Sequence, residues 1–334
     1  MKRTSWILLI LFAILALLTY LYFNKADTTR TGKEFAIDNT AQIGKIVLWD
    51  KMKRRITLSR EDKNWQVNGK HEARQEPINL LLETFNRMRV TGQVPRAAEE
   101  RVRRSINVNG IITEIYDRND RLLKTLYVGD SAPGSKATYM MQKGGNYPYQ
   151  VSIPNWEGVL TPRFMMKEID WRDRAVFRYA ANEIKSVKVE YFAPDKKELS
   201  FQAIREDNNY QIKKLYGLSE KNPLIQAKVQ YYFKRFDELI AENFDLDNPK
   251  RAAIVTATPF CEITLVTIES IEKNVKFYPI PGRKIGKDAS GEVLRANTEK
   301  YYVAINGNED FMIVQDRVFK EVFAPVNFFF EKED

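Results

Sequence analysis

The chain has 334 residues, of which 44% are hydrophobic and 29% are charged, and its formal net charge is +9. This balance is typical of a globular protein with a sizeable core and excludes a largely disordered chain. The charge is uneven, because residues 171–334 contain 26 basic and 26 acidic side chains. The excess therefore lies in residues 1–170, and a neutral second half argues against nucleic acid as a partner.

A single cysteine, Cys261, and a single histidine, His71, limit the available chemistry. One cysteine cannot form an intrachain disulfide, and one cysteine with one histidine cannot build a common zinc site. Cys261 stands in a mostly apolar run and is interpreted as a buried small hydrophobic residue. The sequence has no EF-hand pattern, although a carboxylate site for calcium or magnesium stays open. We expect no metal and no small-molecule cofactor.

Residues 4–24 carry no charged side chain and are mostly apolar. At about 1.5 Å per residue, a helix of this length reaches about 31 Å and could cross the hydrocarbon core of a bilayer. Trp6 lies near one end, and Tyr20 and Tyr22 lie near the other, as expected at the two membrane interfaces. The pattern predicts a transmembrane helix that contacts membrane lipid.

The alternative for this segment is a cleaved signal peptide, whose cleavage site usually follows small residues. Here the apolar run ends in the bulky residues Leu21-Tyr22-Phe23. We therefore predict an uncleaved anchor with a short cytoplasmic tail in residues 1–24. Lys2 and Arg3 form the tightest basic cluster beside it, which favours a cytoplasmic N-terminus and an extracytoplasmic, periplasmic body at the cell membrane.

The rest of the chain predicts an α+β fold made of two similar strand-rich units. Residues 25–42 are polar and predict a spacer. Residues 43–170 and 171–334 are then predicted to be the first and second repeat units. Each is expected to contain a mainly antiparallel sheet packed by an amphipathic helix.

In the first unit, period-two alternation predicts three short opening strands. Their apolar residues are Ile46, Leu48, Ile56, Leu58, Trp65 and Val67. A helix is predicted after Pro77, because four apolar residues from Ile78 to Phe85 follow the i, i+3, i+4, i+7 spacing of one face. Further strands are predicted at residues 111–116, 122–128, 139–141 and 149–153, and a short helical stretch at residues 156–160.

The second half repeats this order, with a helix after Pro223 and a closing helix at residues 318–323. The offset between matching positions grows from 141 residues for Ile46 and Val187 to 145 residues for Trp65 and Tyr210. Growing offsets in an unchanged order are typical of duplication followed by insertion, so we predict an internal repeat. Chance similarity of two strand-helix-strand runs is the alternative.

Several of these features, taken in order, resemble a bacterial family of single-pass envelope proteins known as domain of unknown function 4340. They are the N-terminal anchor, the run Asn64-Trp65-Gln66-Val67-Asn68-Gly69, the run Val128-Gly129-Asp130 with Gly134 and Tyr139 after it, and the segment Trp171–Phe177 between the halves. The resemblance covers most of residues 40–330. It implies an extracytoplasmic partner of membrane machinery, sometimes associated with ABC-type transport components, and it brings no active-site residues.

Two short motifs suggest chemistry and are interpreted as structural. Gly129-Asp130-Ser131 resembles the nucleophile of one esterase class, but such a serine needs a histidine base near the C-terminus and His71 lies upstream. The motif is therefore interpreted as a turn. Residues 282–288 lack the spacing of a phosphate-binding loop and end in an aspartate, so they are interpreted as a mobile basic loop.

Clustered charges give no unique site. Residues 51–55 and residues 101–104 are basic clusters, interpreted as solvated charge or as contacts with anionic lipid headgroups. With 44 acidic residues, choosing a catalytic pair would be arbitrary. We therefore name no catalytic, cofactor-binding or metal residue.

The sequence favours a non-enzymatic scaffold or accessory subunit of an envelope or ABC-type membrane complex. The alternative is a carboxylate-based enzyme or binding module that acts on envelope glycans, because glycoside chemistry needs neither histidine nor cysteine.

Overall fold

The computed structural model describes residue 13 and residues 34–331, apart from residues 63, 146, 208, 219–221, 283, 288–292 and 296–298. The predicted anchor lies outside the described residues apart from residue 13, and so do residues 25–33 of the predicted spacer. Within the described part of the chain, no helix is long and apolar enough to cross a membrane.

The protein is a strand-rich α+β chain that divides into two compact units between Asp173 and Arg174. The described strands of the first unit are β1 (Ile43–Trp49), β2 (Arg55–Glu61), β3 (Asn64–Val67), β4 (His71–Glu72), β5 (Arg89–Gln93), β6 (Ile111–Asp117), β7 (Leu122–Ser131), β8 (Thr138–Gln142) and β9 (Tyr149–Ser152). Its α-helices are α1 (Gln75–Arg87), α2 (Arg96–Asn109) and α3 (Glu168–Trp171), with 3-10 turns at Thr40–Gln42, Pro133–Ser135 and Thr161–Arg163.

The second unit is built in the same way. Its described strands are β10 (Ala175–Phe177), β11 (Ile184–Tyr191), β12 (Phe201–Glu206), β13 (Asn209–Lys214), β14 (Leu239–Ile240), β15 (Asn243–Phe244), β16 (Cys261–Thr267), β17 (Glu272–Pro279), β18 (Lys284–Lys287), β19 (Val293–Arg295), β20 (Lys300–Ile305) and β21 (Asp310–Gln315). Its helices are α4 (Gln226–Phe233), α5 (Arg251–Thr256) and α6 (Asp316–Phe319), with 3-10 turns at Lys197–Leu199, Lys234–Phe236, Asn306–Asn308, Lys320–Val322 and Val326–Phe329.

The main sheets of the two units share one strand order. The described strands of the first sheet run β4-β3-β2-β1-β6-β7-β8-β9-β5, and those of the second run β13-β12-β11-β16-β17-β20-β21-β15. Neighbouring strands in both sheets are antiparallel. In each unit a short strand after the first long helix, β5 or β15, pairs at the far edge of its sheet. Eight strands in the same order fit the predicted internal repeat.

The first sheet is covered on both faces. Ile78, Leu81 and Phe85 of α1 are fully buried in the larger core, which also contains Trp65 of β3. Helix α2 joins a separate cluster through Val102 and Ile106. Successive residues of β8 fall in the two clusters, so α1 and α2 lie on opposite faces. Helix α2 was not predicted from the sequence, in which residues 101–104 indicated only a basic cluster.

The second unit has an aromatic core. Tyr232 and Phe236 pack edge-to-face, and Phe201 contacts both Tyr232 and Phe329. Such edge-to-face pairs add to the burial of the rings. Helix α5 covers the opposite side through Ile254, which packs against a smaller cluster. It follows the edge strand β15 just as α2 follows β5.

Several predicted helix positions differ from the structure. The helix predicted after Pro223 begins only at Gln226 and ends at Phe233. Residues 156–160 are not helical, and a 3-10 turn follows at Thr161–Arg163. These are the regions where short helical and extended runs cannot be separated by periodicity alone.

Residues 34–42, which were predicted to be part of the polar spacer, pack into the first unit. Phe35 is fully buried in the main core, and the Ile37 amide donates to the Phe85 carbonyl over 2.7 Å. The Lys124 ammonium donates to the carbonyls of Glu34 and Ala36, each over 2.7 Å. We call residues 34–42 the leading segment. Two apolar side chains among polar neighbours were too weak a signal to predict its packing.

Candidate functional site

Each unit has an open pocket at the corner where its first long strand begins. The first corner pocket has a volume of about 320 Å³ and is lined by Gly44, Lys45, Ser59, Arg60, Asp62, Asp117, Arg118 and Asp120. The second corner pocket has a volume of about 380 Å³ and is lined by Asn182, Lys185, Arg205, Asp207 and Ile268. Both lie between the start of the first long strand, the turn of the next hairpin, and the turn of the central hairpin.

Strand register shows that the two pockets are equivalent. Arg60 pairs with Trp65 across the β2–β3 hairpin, and Arg205 pairs with Tyr210 across the β12–β13 hairpin. The turn of the first hairpin contains Asp62 at φ 49°, and that of the second contains Asp207 at φ 44°. Short polar side chains tolerate this left-handed backbone better than bulky ones do. The same hairpin structure therefore forms one wall of the corner pocket in each unit.

The arginine of each pocket also makes the same bond. Arg60 Nη1 donates to the Ala41 carbonyl oxygen over 3.4 Å, and Arg205 Nη1 donates to the Asn182 carbonyl oxygen over 2.6 Å. Each carbonyl belongs to the residue two positions before the first long strand. Each arginine therefore connects the segment before the first long strand to the neighbouring hairpin.

A sequence signal for this pair existed and was missed. The tripeptide Arg-Glu-Asp occurs at residues 60–62 and again at residues 205–207, which gives the offset 205 − 60 = 145. In both copies a glutamine beyond the turn donates to the glutamate over 2.5 Å, Gln66 to Glu61 and Gln211 to Glu206. The same offset of 145 residues relates Trp65 to Tyr210, so the repeated charged turn was a second signal at the same spacing.

Charge in the first corner pocket is largely compensated. The Asp117 carboxylate accepts from the backbone amides of Arg121 and Asn119 and from the Arg121 guanidinium, and these bonds hold its pKa below the usual range. Lys45 Nζ lies 2.5 Å from Asp120 and above the ring of Tyr116. The lowered pKa keeps the Asp117 carboxyl ionised, which does not suit it to donate a proton.

The central hairpin turns differ between the units in one informative way. Asp117 Oδ1 accepts the backbone amide of Arg121, and Thr267 Oγ1 accepts the backbone amide of Ile271. Residues 118 and 121 of the first turn are arginines, whereas the matching residues 268 and 271 are isoleucines, 60% and 54% exposed. One scaffold thus presents two cations in the first unit and two apolar side chains in the second.

The lone histidine and cysteine lie in different units. His71 Nε2 of β4 is 3.5 Å from the Glu168 carboxylate in the first unit. Cys261 begins β16 in the second unit, is fully buried, and has a thiol pKa raised by burial. A buried, protonated thiol is a poor nucleophile. The prediction that Cys261 is a buried hydrophobic residue is confirmed.

Gly129-Asp130-Ser131 forms the end of strand β7 and not a turn. A Cβ atom at position 129 would lie 2.6 Å from Cγ1 of Ile106, so the glycine lets α2 approach the sheet. The Asp130 carboxylate accepts a hydrogen bond from the Ser105 hydroxyl over 2.7 Å. The motif therefore joins a helix to a strand.

The remaining charged segments are arranged as follows. Residues 51–55 include the turn between β1 and β2, where Arg54 pairs with Asp50 over 2.6 Å. Residues 101–104 lie on α2, where Arg103 bonds to Glu100 and lowers its pKa. Residues 284–287, predicted as part of a mobile loop, form β18 and pair with β19. Among the described residues, no group of three or more His, Cys, Asp or Glu side chains could hold a metal ion.

The fold and its two corner pockets define a class of protein with two antiparallel α+β units of matching strand order. Residues 65–259 match the family described as domain of unknown function, DUF4340, over more than half of the chain. The chain belongs to this family. Neither a curated protein nor a solved structure matches the chain.

Proposed function

We propose that this chain is a membrane-anchored, non-enzymatic accessory subunit of an envelope complex, with a two-unit body outside the cytoplasm. In this proposal residues 4–24 form the transmembrane helix and residues 25–33 form the tether. The complex is of the kind built around an ABC-type transport component. The family resemblance and the apolar N-terminal stretch motivate the proposal.

The observation that carries the proposal is the fixed leading segment. Phe35 and Ile37 are buried in the first unit, and Lys124 holds the carbonyls on either side of Phe35. Only residues 25–33 separate this fixed point from the apolar stretch, and nine extended residues reach at most about 32 Å. Such a short tether suits a protein that works close to the bilayer.

The second unit offers a surface for the partner. Ile268 and Ile271 are both exposed in a turn whose counterpart in the first unit carries arginines. An exposed apolar pair beside the polar second corner pocket resembles the centre of a small protein interface with its polar rim. We assign this turn to the protein partner in the membrane complex.

The glycan-hydrolysing alternative is less well supported. A glycosidase needs one carboxylic acid whose pKa is raised, so that it can donate a proton. The displaced carboxyl pKa values in the described residues are all lowered, at Glu100, Asp117, Glu190 and Glu242. Hydrogen bonds from basic side chains, and for Asp117 first of all from backbone amides, cause these shifts and suit fixed anionic anchors better than proton donors.

Cell fractionation and a topology reporter test the anchor. The full chain should stay with membranes after an alkaline carbonate wash. A reporter that works only outside the cytoplasm should be active when it is fused after Asp334, and a reporter that works only in the cytoplasm should be inactive there. A matched variant lacking residues 4–24 should leave the membrane fraction. Release of the full chain by the wash, or a mature N-terminus beyond Phe23, would contradict the anchor.

Photo-crosslinking in intact cells tests the partner surface. A photoreactive residue at Ile268 should crosslink to one subunit of a membrane complex. The same residue at Leu218, which is 86% exposed in the same unit, serves as the control. Ile268→Asp combined with Ile271→Asp should abolish co-purification of that subunit. Equal crosslinking from both positions, or crosslinks to glycan alone, would count against an accessory subunit.

A further inference from the structure

A further pocket lies in the first unit, where the edge strand β5 leads into helix α2. Its volume is about 400 Å³, and it shares no lining residue with the first corner pocket. This volume lies within the usual range of small-molecule sites, about 300–1,000 Å³. We call it the edge pocket and propose that it binds a short neutral saccharide. The inference goes beyond the proposed function, because it adds a ligand site that does not depend on the anchor.

The apolar part of the edge pocket is fixed by the sheet and the core. Val94 and Pro148 are buried, and Tyr149 is half-buried between them and solvent. The Tyr149 ring packs edge-to-face against fully buried Phe35, with ring centroids 5.9 Å apart. Tyr149 is also paired with Gln93 across strands β5 and β9. A site built on paired strands keeps its shape, which lowers the cost of ordering when a ligand binds.

Tyr147 gives the edge pocket an aromatic surface. This side chain lines the pocket and is 54% exposed. Within the described part of the chain, its hydroxyl makes no hydrogen bond and its ring stacks on no other ring. The face of an aromatic ring is negative, and the C–H groups of a sugar ring carry a partial positive charge. An exposed tyrosine face without a protein partner therefore suits the apolar side of a sugar ring.

Three polar side chains of the lining supply mixed hydrogen-bonding groups. Gln93 offers an amide donor and an acceptor, Arg96 offers a planar set of donors, and Glu99 offers two acceptor oxygens. Among the described residues, none of these side chains makes a hydrogen bond or an ion pair. A sugar hydroxyl both donates and accepts, so neighbouring hydroxyls can bond to all three groups.

The charges of the edge pocket favour a neutral ligand. Arg96 and Glu99 have opposite charges and stand in the first turn of α2. An anion would be repelled by Glu99 and a cation by Arg96, whereas a polyhydroxyl ligand can bond to both. Glu99 is the one carboxylate in the described lining, and glycoside hydrolysis needs a pair. The arrangement therefore points to binding without hydrolysis.

The matching region of the second unit uses its arginine differently. Arg251 is the first residue of α5, just as Arg96 is the first residue of α2. Arg251 Nη2 donates to the carbonyls of Asn308 and Glu309, which lie in the turn before β21. In the described part of the first unit, Arg96 makes no such bond to the turn before β9. The repeated scaffold thus bonds this arginine to its own turn in one unit and leaves it available to a ligand in the other.

Ligand-observed NMR on the full-length chain tests the site. The chain is placed in phosphatidylcholine nanodiscs, because glycoside detergents would compete with the probes. The probes are glucose, galactose, mannose and N-acetylglucosamine, with maltose and cellobiose as two-ring sugars. At least one sugar should receive saturation from the protein, and Tyr147→Ala should weaken its binding by about tenfold. Tyr147→Trp, which keeps an aromatic face, should retain binding. Tyr231→Ala, at a tyrosine 47% exposed in the second unit, is the control and should have no effect.

Further measurements separate a neutral ligand from a charged one. Arg96→Ala should weaken sugar binding, and Arg96→Gln, which keeps a planar donor, should restore most of it. Raising sodium chloride from about 50 mM to about 500 mM should leave the Kd nearly unchanged, because salt screens interactions between charges. Binding by none of the six sugars, an equal loss in Tyr231→Ala, or tighter binding of inorganic phosphate would overturn the inference. An unchanged urea midpoint in the Tyr147 variants excludes unfolding as the cause of a loss. These outcomes do not affect the proposed anchor or the partner turn of the second unit.

Discussion

The side-chain amide of Gln226 bonds to both backbone polar groups of Tyr210. Gln226 Oε1 accepts from the Tyr210 amide over 2.9 Å, and Gln226 Nε2 donates to the Tyr210 carbonyl over 3.0 Å. Tyr210 lies in β13, the edge strand of the second sheet. In the first sheet the matching carbonyl, that of Trp65, accepts instead from the Ala73 amide over 2.7 Å. The Gln226 side chain thus satisfies backbone polar groups at the edge of the second sheet. In the first sheet, the backbone that includes β4 does so.

Replacing Gln226 with alanine should expose this edge. Loss of the two bonds should lower the free energy of unfolding of the second unit by about 1 kcal/mol. The uncovered edge should also favour self-association, since an unpaired strand edge is a template for another chain. Urea unfolding and sedimentation at several concentrations measure the two effects. Gln230→Ala, exposed on the same helix, is the control, and an equal effect there would contradict the explanation.

Trp65 and Tyr210 occupy matching positions but should differ in their contribution to stability. Trp65 is 1% exposed, whereas Tyr210 is only half-buried. Trp65→Ala should therefore lower the free energy of unfolding by about 3–5 kcal/mol. Tyr210→Ala should lower the free energy of unfolding by clearly less than Trp65→Ala does. Urea unfolding of both variants checks the order, and a larger loss at Tyr210 would contradict the burial argument.

The sequence predicted what depends on local pattern. Period-two alternation located the hairpins, and helical spacing located α1 with its buried Phe85. Tyr210 matches Trp65 in its offset, yet it lies at an edge that β4 covers in the first unit and that no described strand covers in the second. Burial at an edge depends on neighbours that alternation along one strand cannot reveal.

What escaped prediction depends on contacts between distant residues. Strand β15 has two residues, and it joins the sheet only because β21 lies beside it at the far edge. Each corner pocket combines the start of a strand with two turns that are far apart in sequence. The repeated Arg-Glu-Asp turn could have located one wall of each pocket, but the opposite walls required the pairing of β1 with β6 and of β11 with β16.

Gly129→Ala should destabilise the contact between α2 and the first sheet. The added Cβ would lie 2.6 Å from Ile106 Cγ1 and 3.0 Å from the Tyr139 carbonyl oxygen. Overpacking of this kind costs about 1–3 kcal/mol. Gly92→Ala is the matched control, because its Cβ would meet only the Gln150 side chain, at 3.8 Å. Partial rescue by Ile106→Val would assign the loss to this contact, and equal stability of the two alanine variants would contradict it.

Asp117→Asn should remove a pH-dependent part of the stability. Hydrogen bonds from Arg121 and Asn119 lower the Asp117 pKa in the folded state, so the ionised carboxylate stabilises the fold above its unfolded pKa of about 3.9. That contribution is lost as the pH falls through the lower folded pKa. The wild type should therefore exceed the variant in urea midpoint near pH 7, and the difference should shrink in acid. Glu157→Gln, an exposed carboxylate, is the control. A difference that does not change with pH would contradict the assignment.

Lys124→Met should release the leading segment while leaving the unit folded. Methionine keeps the apolar stem of the half-buried lysine but cannot donate to the carbonyls of Glu34 and Ala36. Burial also lowers the Lys124 pKa, so removing its charge relieves a desolvation cost and limits the loss of global stability. The Ile37 amide, which donates to Phe85, should exchange with solvent faster, whereas the amides within α1 should keep their protection. Hydrogen exchange measures both, with the exposed Lys143→Met as control. Unchanged Ile37 protection would show that Phe35 alone holds the segment.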